Sequence, residues 1–213
     1  MGIRIERIER NKAKKEMCWI YLEDGQKFLL CIDLVVKYNL RKGKVVDRKE
    51  LEKWQEEEEA SKSFDAALNY LSFRPRSKKE MENYLYKKGF SEAAVESTLN
   101  KLENYGYIDD FEFASSWTKS RLNNRPMSKR MIAYELYQKG IDRSVIDAVL
   151  ERVDEEDEEK AAFLLAEKYF KRYQRFEEKQ KLYKIGQALA RRGFDWGLIQ
   201  RVCSKLTDLE EGE

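Results

Sequence analysis

The sequence predicts a mainly α fold: an elongated, curved array of three tandem three-helix units, preceded by a small N-terminal β-rich segment. Three observations predict it. Gly89, Gly140 and Gly193 each follow a cation (Lys88, Lys139, Arg192) and stand 51 and 53 residues apart. That step is longer than a two-helix repeat of about 34 residues and suits three helices per unit. The same apolar marks recur around each glycine: Met81, Ile132 and Ile185 lie eight residues before, and Leu85, Leu136 and Leu189 lie four before. Val95, Ile146 and Ile199 lie six after, Leu99, Leu150 and Cys203 ten after, and Leu102, Val153 and Leu206 thirteen after. Steps of three and four residues put each set on one helix face. Finally, the two prolines of the chain, Pro75 and Pro126, occupy equivalent places in the first two units.

The elements follow in order, and the expected divisions are 1–62, 63–108, 109–153 and 154–213. In the first, Met17 to Leu22 and Lys27 to Ile32 are β-rich runs joined through Asp24-Gly25, a dipeptide suited to a tight type I′ hairpin. Ile3, Ile5 and Val45-Val46 supply further strands. Asp47 with Glu50 forms a capping signal that opens a charged helix through Glu59, and Glu56 to Glu59 reads as a solvent-facing helix or linker.

Unit one begins with a short helix, Phe64 to Ser72, broken by Arg74-Pro75-Arg76. Ser77 caps the second helix with Glu80 three residues on, and Gly89 supplies the left-handed residue that ends it. Ser91 caps the third. Unit two repeats this grammar: Asp109 or Asp110 opens the first helix, Arg125-Pro126 breaks it, Ser128 caps the next, Gly140 closes it and Asp142 caps the last. Unit three departs from the pattern. Its first helix, from about Asp154 to Tyr173, opens with the acidic run Asp154 to Glu159, and no Arg-Pro-x-Ser element follows. Carboxylates in a first turn interact favourably with the helix dipole.

Composition narrows the chemistry. With 213 residues and 42% hydrophobic content the chain can build a core, while 42 Lys+Arg against 40 Asp+Glu leave a net charge of only +2. Attraction to a polyanion must therefore come from how the charges are distributed. The absence of histidine removes the usual general base, the Ser-His and Cys-His nucleophile pairs and the commonest zinc ligand. Cys18, Cys31 and Cys203 lie outside any CxxC spacing and read as plain thiols. No glycine-rich phosphate loop, GxSxG elbow or metal-ligand cluster is present, so neither catalysis nor a cofactor is expected. Asp109-Asp110 reads as a helix cap, because adjacent helical residues point about 100° apart. Met1 to Lys15 has no apolar signal core and no run approaches a membrane span of about 20 residues, so a cytoplasmic monomer is expected.

Cations recur at equivalent repeat positions. Unit one carries Arg74, Arg76, Lys78, Lys79, Lys87 and Lys88; unit two carries Lys119, Arg121, Arg125, Lys129, Arg130 and Lys139. Both sets gather around the second helix and the turn before it. In unit three, Lys171, Arg172, Arg175, Lys184, Arg191 and Arg192 are the candidates among a group that also holds Lys168, Lys179 and Lys181. If the units stack with a regular rotation, these residues form a stripe suited to a phosphate backbone or an acidic protein groove. Tyr84, Tyr105, Tyr107, Phe111, Phe113, Trp117, Tyr134, Tyr169, Phe170 and Trp196 read as core or semi-core aromatics rather than stacking platforms. A DNA-binding transcription regulator and a purely protein-binding helical scaffold remain open; the first would prefer a duplex sequence, the second would show little dependence on salt. No Asn/Gln/Arg cluster opens a recognition helix.

From Phe64 to Leu206 the chain resembles the RecX family of bacterial regulatory proteins. The resemblance is carried by Ala67-Leu68-x-x-Leu71 leading to Arg74-x-Arg76-Ser77, Leu85-x-x-Lys88-Gly89-Phe90, Leu102 through Gly106-Tyr107-Ile108-Asp109-Asp110-x-x-Phe113-Ala114, and Glu135-Leu136-x-x-Lys139-Gly140-Ile141. Pro126 stands where the family often has glycine, and the third unit is divergent. The resemblance implies a modular all-α protein that binds the RecA recombinase filament on single-stranded DNA, contacting the DNA directly or through RecA. It further implies that such binding blocks filament growth and lowers ATPase and strand-exchange activity, within recombination, DNA repair and the SOS response, with no catalytic group of its own.

Overall fold

The computed structural model describes residues 2–210. Four strands and ten helices run in the order β1 Gly2–Arg10, β2 Met17–Leu22, β3 Lys27–Cys31, α1 Ile32–Lys37, β4 Val45–Asp47, α2 Arg48–Leu71, α3 Lys78–Lys87, α4 Glu92–Asn104, α5 Asp110–Asn123, α6 Lys129–Gln138, α7 Arg143–Leu150, α8 Glu155–Arg172, α9 Glu178–Arg191 and α10 Trp196–Glu210. The fold is mainly α, with α2–α4, α5–α7 and α8–α10 as three tandem helical trios after a small sheet. The last residues of the expected C-terminal tail, 211–213, lie outside the described residues.

Two compact units divide the chain: Met1–Arg74 with Met81–Tyr107, and Pro75–Glu80 with Ile108–Glu213. The first holds an antiparallel sheet of order β3-β2-β1-β4. Alternation within β2 turns Ile20 and Leu22 inward, where Ile5, Leu30, Leu51 and Trp54 join them in one core. The β2–β3 turn corrects the type I′ expectation. That turn needs two residues at positive φ, but among the described residues Asn39 is the one non-glycine with positive φ, so Gly25 alone (φ +84°) is left-handed here. Asp24 stabilises the turn through its carboxylate instead, accepting from Gln26 N at 3.0 Å.

Helix α2 is a second correction. It opens at the expected cap, with Asp47 accepting from Lys49 N and Glu50 reaching back to Asp47 N. It then runs unbroken to Leu71, through the expected linker and the 62/63 division, because residues 48–71 contain neither Gly nor Pro to stop it. Glu58 and Glu59 are not a solvated run. Glu58 is buried and accepts from Cys31 N at 2.7 Å, while Glu59 accepts from both Ser91 N and Ser91 Oγ at the start of α4. One end of α2 thus covers the sheet and the other packs on α4, where Thr98 donates to Ser63 in a fully buried pair at 2.9 Å.

The recurring apolar marks form the helical cores. Met81, Ile132, Ile185, Leu85, Leu136 and Leu189 are each fully buried, an arrangement that stabilises by roughly 1.5–3 kcal/mol per large side chain. Ser91, Asp109, Ser128 and Asp154 each cap their helix with a side-chain oxygen. Asp142 occupies its N-cap position without a side-chain bond. Gly89, Gly140 and Gly193 all adopt positive φ (+87°, +76°, +85°).

Four aromatics expected in the core or semi-core are on the surface instead: Tyr105 (67% exposed), Tyr107 (54%), Tyr134 (59%) and Trp196 (66%). The aliphatic marks already fill the interior, which leaves these rings outside.

Candidate functional site

Within the second compact unit, the segment before a middle helix docks on the turn that ends the next middle helix, and this happens twice. Ser77 Oγ donates to Lys139 O at 2.7 Å, and Ser128 N donates to Arg192 O at 3.0 Å. A Cβ on Gly140 would collide with the Lys79 side chain, and one on Gly193 with Met131 and Ser128. Each docked helix start is also capped from the following trio: Lys78 N donates to Asp110 at 2.8 Å and Lys129 N to Glu158 at 2.9 Å. The Asp109-Asp110 pair is therefore divided between two caps, Asp109 for its own helix and Asp110 for α3. The acidic run at 154–159 is likewise structural. Asp154 caps α8, Glu158 caps α6, and Glu159 pairs with Lys205, which holds its carboxyl below the ordinary glutamate value.

The electrostatics of the two junctions differ. At the first, Lys139 Nζ sits 2.9 Å from Glu80 and 4.2 Å from the Trp117 ring centroid, with both charged side chains about four-fifths buried (17% and 20% exposed). At the second, the position equivalent to Glu80 is Met131. Among the described residues no carboxylate pairs with Arg192, and it lines a cleft of about 500 Å³ with Arg121, Arg125, Lys168 and Glu135. Glu135 is already engaged: Arg121 Nε donates to it at 2.5 Å and Trp117 Nε1 at 2.8 Å. The cleft is left with Arg125, Lys168 and Arg192 as positive charges without a carboxylate among the described residues. In the first trio the positions of Arg121 and Glu135 are held by Tyr70 and Tyr84, which stack at 3.9 Å.

The other expected site residues are distributed as follows. Arg74, Lys78 and Lys79 are exposed and Arg76 half-buried before and at the start of α3, and all four make interactions within the chain. Lys87 and Lys88 are exposed at the end of α3, with Lys88 5.6 Å from the Tyr84 ring. Lys119 lines a separate cavity, Arg130 is exposed on α6, and Lys129 is taken up by donating to Val153 O. Lys171, Arg172, Arg175 and Arg191 are exposed, and Lys184 lies 4.6 Å from the Phe176 ring. The cleft therefore gathers Arg121, Arg125 and Arg192 and leaves the others outside it. Lys168, one of many third-unit cations in the sequence, gains its place from α8 packing, whereas Lys181 is buried against Phe170 at 3.8 Å. Among the described residues no cluster of His, Cys, Asp and Glu could hold a metal, and no helix is long and apolar enough to cross a membrane. Burial pushes the Cys203 thiol up from its ordinary range, away from the reactive thiolate.

The first, second and third RecX three-helix domains match residues 64–102, 109–150 and 156–203. The chain belongs to the RecX family. Regulatory protein RecX of Clostridioides difficile is 34% identical over 99% of both chains, and that of Bacillus licheniformis is 33% identical over 98% of this chain and 79% of its own length. A crystal structure of a regulatory protein RecX is similar with a TM-score of 0.65 at 29% identity, covering 94% of this chain and 98% of that one. RecX from Lactobacillus salivarius is similar with a TM-score of 0.61 at 30% identity over 70% of this chain and 97% of that one. A regulatory role goes with membership of the RecX family, and the matched domains place both Lys139 and Arg125 within the second of its three-helix units.

Proposed function

We propose that this RecX-family chain binds the RecA filament on single-stranded DNA in the cytoplasm and inhibits its ATPase, strand exchange and extension, acting as a monomer and without catalysis. The observation that carries the reading is the cleft where Arg125, Lys168 and Arg192 converge from two helical trios, 109–153 and 154–213, with the one lining carboxylate neutralised by Arg121. Three such cations fit successive phosphates of a strand or an acidic filament wall. Each single-strand phosphate neutralised adds about −0.7 to the slope of log affinity against log salt. The exposed cations Lys87, Lys88, Lys119, Arg130, Lys171, Arg172, Arg175 and Arg191 are further candidate contacts, with Arg74, Arg76, Lys78, Lys79 and Lys184 as auxiliary ones.

Inhibition would be steric and conformational, because a ligand shifts a filament equilibrium only by its differential affinity for the two states. The test is a RecA ATPase titration on single-stranded DNA with the parent chain and with a triple variant, Arg125→Glu, Lys168→Glu and Arg192→Glu. Helicity is checked by circular dichroism. Loss of inhibition by a folded variant is expected; full inhibition by that variant would refute the proposal.

A further inference from the structure

The cationic cleft shares Asn123 and Leu164 with a second cavity of about 360 Å³, walled by α5, α7 and α8. The chemistry of this neighbour is different. Leu122, Val149, Val153 and Leu164 give it apolar walls, with Lys119 among its polar lining. Thr118, only 3% exposed, also lines it, and its buried hydroxyl has no hydrogen-bond partner. Buried polar side chains are ordinarily paired, so an orphan hydroxyl beside an open cavity marks where a ligand atom would complete the bond. Asp157 also lines the cavity. Its charge offsets that of Lys119, so the lining does not call for an anion and admits a neutral group. Lys160 is engaged by Glu156 at 2.8 Å and Arg152 lies 4.6 Å from the Phe111 ring, which leaves their charges facing intramolecular partners.

A neutral group with a hydrogen-bonding edge, tethered to an anion in the adjoining cleft, fits one nucleotide of a single strand. We propose that the cavity receives one unstacked base, its edge bonded to Thr118, while the neighbouring phosphates lie on Arg125, Lys168 and Arg192. This inference rests on the DNA-facing part of the proposed function. A duplex would not supply such a base without unpairing it, so the site selects single strands.

Thr118→Val keeps the shape and removes the orphan hydroxyl, and Ser115→Trp, on the half-buried cavity rim, fills the space. The probes are an oligothymidylate carrying 4-thiothymidine and an abasic strand of the same length, with binding measured by fluorescence anisotropy and crosslinks mapped by peptide mass. Crosslinks are expected on α5 or α8. Thr118→Val is expected to weaken oligothymidylate binding by about fivefold or more, leave abasic binding unchanged and melt no lower than the parent chain. If both variants bind the oligothymidylate as the parent does, while the triple cleft variant loses binding, the base site is wrong and the proposed function stands. If the parent binds neither strand and supports no crosslink, the base site falls together with the direct DNA contact, whereas inhibition of the RecA ATPase tests the rest independently.

Discussion

The junction at Lys139 and the junction at Arg192 share a backbone carbonyl as acceptor, bonded by the Ser77 hydroxyl in the first and by the Ser128 N–H in the second, and part company in charge. Both dock a serine-bearing segment on a left-handed glycine turn, and both cap the docked helix with a carboxylate from the following trio. At Lys139 the cation is answered by Glu80 and covered by Trp117; at Arg192 a methionine stands in the place of that glutamate and the cation faces a cleft. A repeat can thus conserve its mechanical joint while one residue decides whether the joint's charge is internal or available. The cation-glycine pair is a docking device at Lys139-Gly140 and Arg192-Gly193, and at Arg192 its charge faces a cleft.

The largest expected effect separates joint glycines from the one that is not a joint. Gly89, Gly140 and Gly193 have similar φ, but a Cβ on Gly89 would meet nothing within 4 Å. Gly89→Ala should cost about 1–2 kcal/mol for the left-handed backbone alone. Gly140→Ala and Gly193→Ala should cost about 2–5 kcal/mol, because collision adds to that strain. Urea denaturation of the three variants measures this, and equal losses at all three would break the comparison.

Next comes the ion pair: Glu80→Gln should destabilise by about 1–3 kcal/mol by leaving Lys139 without its charge-assisted hydrogen bond, read from the same denaturation curves. Lys139→Gln made together with Glu80→Gln should lose less than the two single changes combined. Met131→Glu would convert the second junction into a copy of the first. It should leave the melting temperature nearly unchanged, weaken single-stranded DNA binding and flatten its salt slope by about 0.7.

The smallest effect is acid-linked. Lys205 donates to Glu159 and lowers its pKa, so the stabilising contribution is complete above the ordinary glutamate value and is lost as pH falls through the lowered one. Glu159→Gln should remove that part of the pH dependence and no other, as seen in melting curves taken between pH 3 and 6, a window bracketing the ordinary carboxylate range.

Much of the helical array was legible because its signals are local. Apolar spacing set the buried faces, and Ser91, Asp109, Ser128 and Asp154 marked helix starts by the side-chain caps they make. What stayed hidden depends on partners distant in sequence. Glu58 and Glu59 read as solvated charge until α2 continues and brings them to Cys31 and Ser91. Asp110 and Glu158 read as first-turn residues of their own helices, and their bonds to Lys78 N and Lys129 N exist only in the folded second unit. Among the cations, recurrence put Arg125 and Arg192, which line one cleft, in the same candidate set as Lys129, which ends on a backbone carbonyl, and could not separate them. The hydroxyl of Thr118 carries no sequence signal at all, because a threonine inside a helix is unremarkable until its neighbours are known.

The central claim, that the second junction and not the first presents its charge, is tested most directly by comparing two neutralised chains for binding to the RecA filament on single-stranded DNA. One carries Arg125→Gln, Lys168→Gln and Arg192→Gln in the cleft; the other carries Lys139→Gln at the first junction together with Lys87→Gln and Lys88→Gln at the end of α3. The account predicts that the cleft set flattens the salt slope by about 2, from three phosphates at about 0.7 each, and abolishes ATPase inhibition, while the other set keeps most of both. An equal or larger loss from the first-junction set would contradict it.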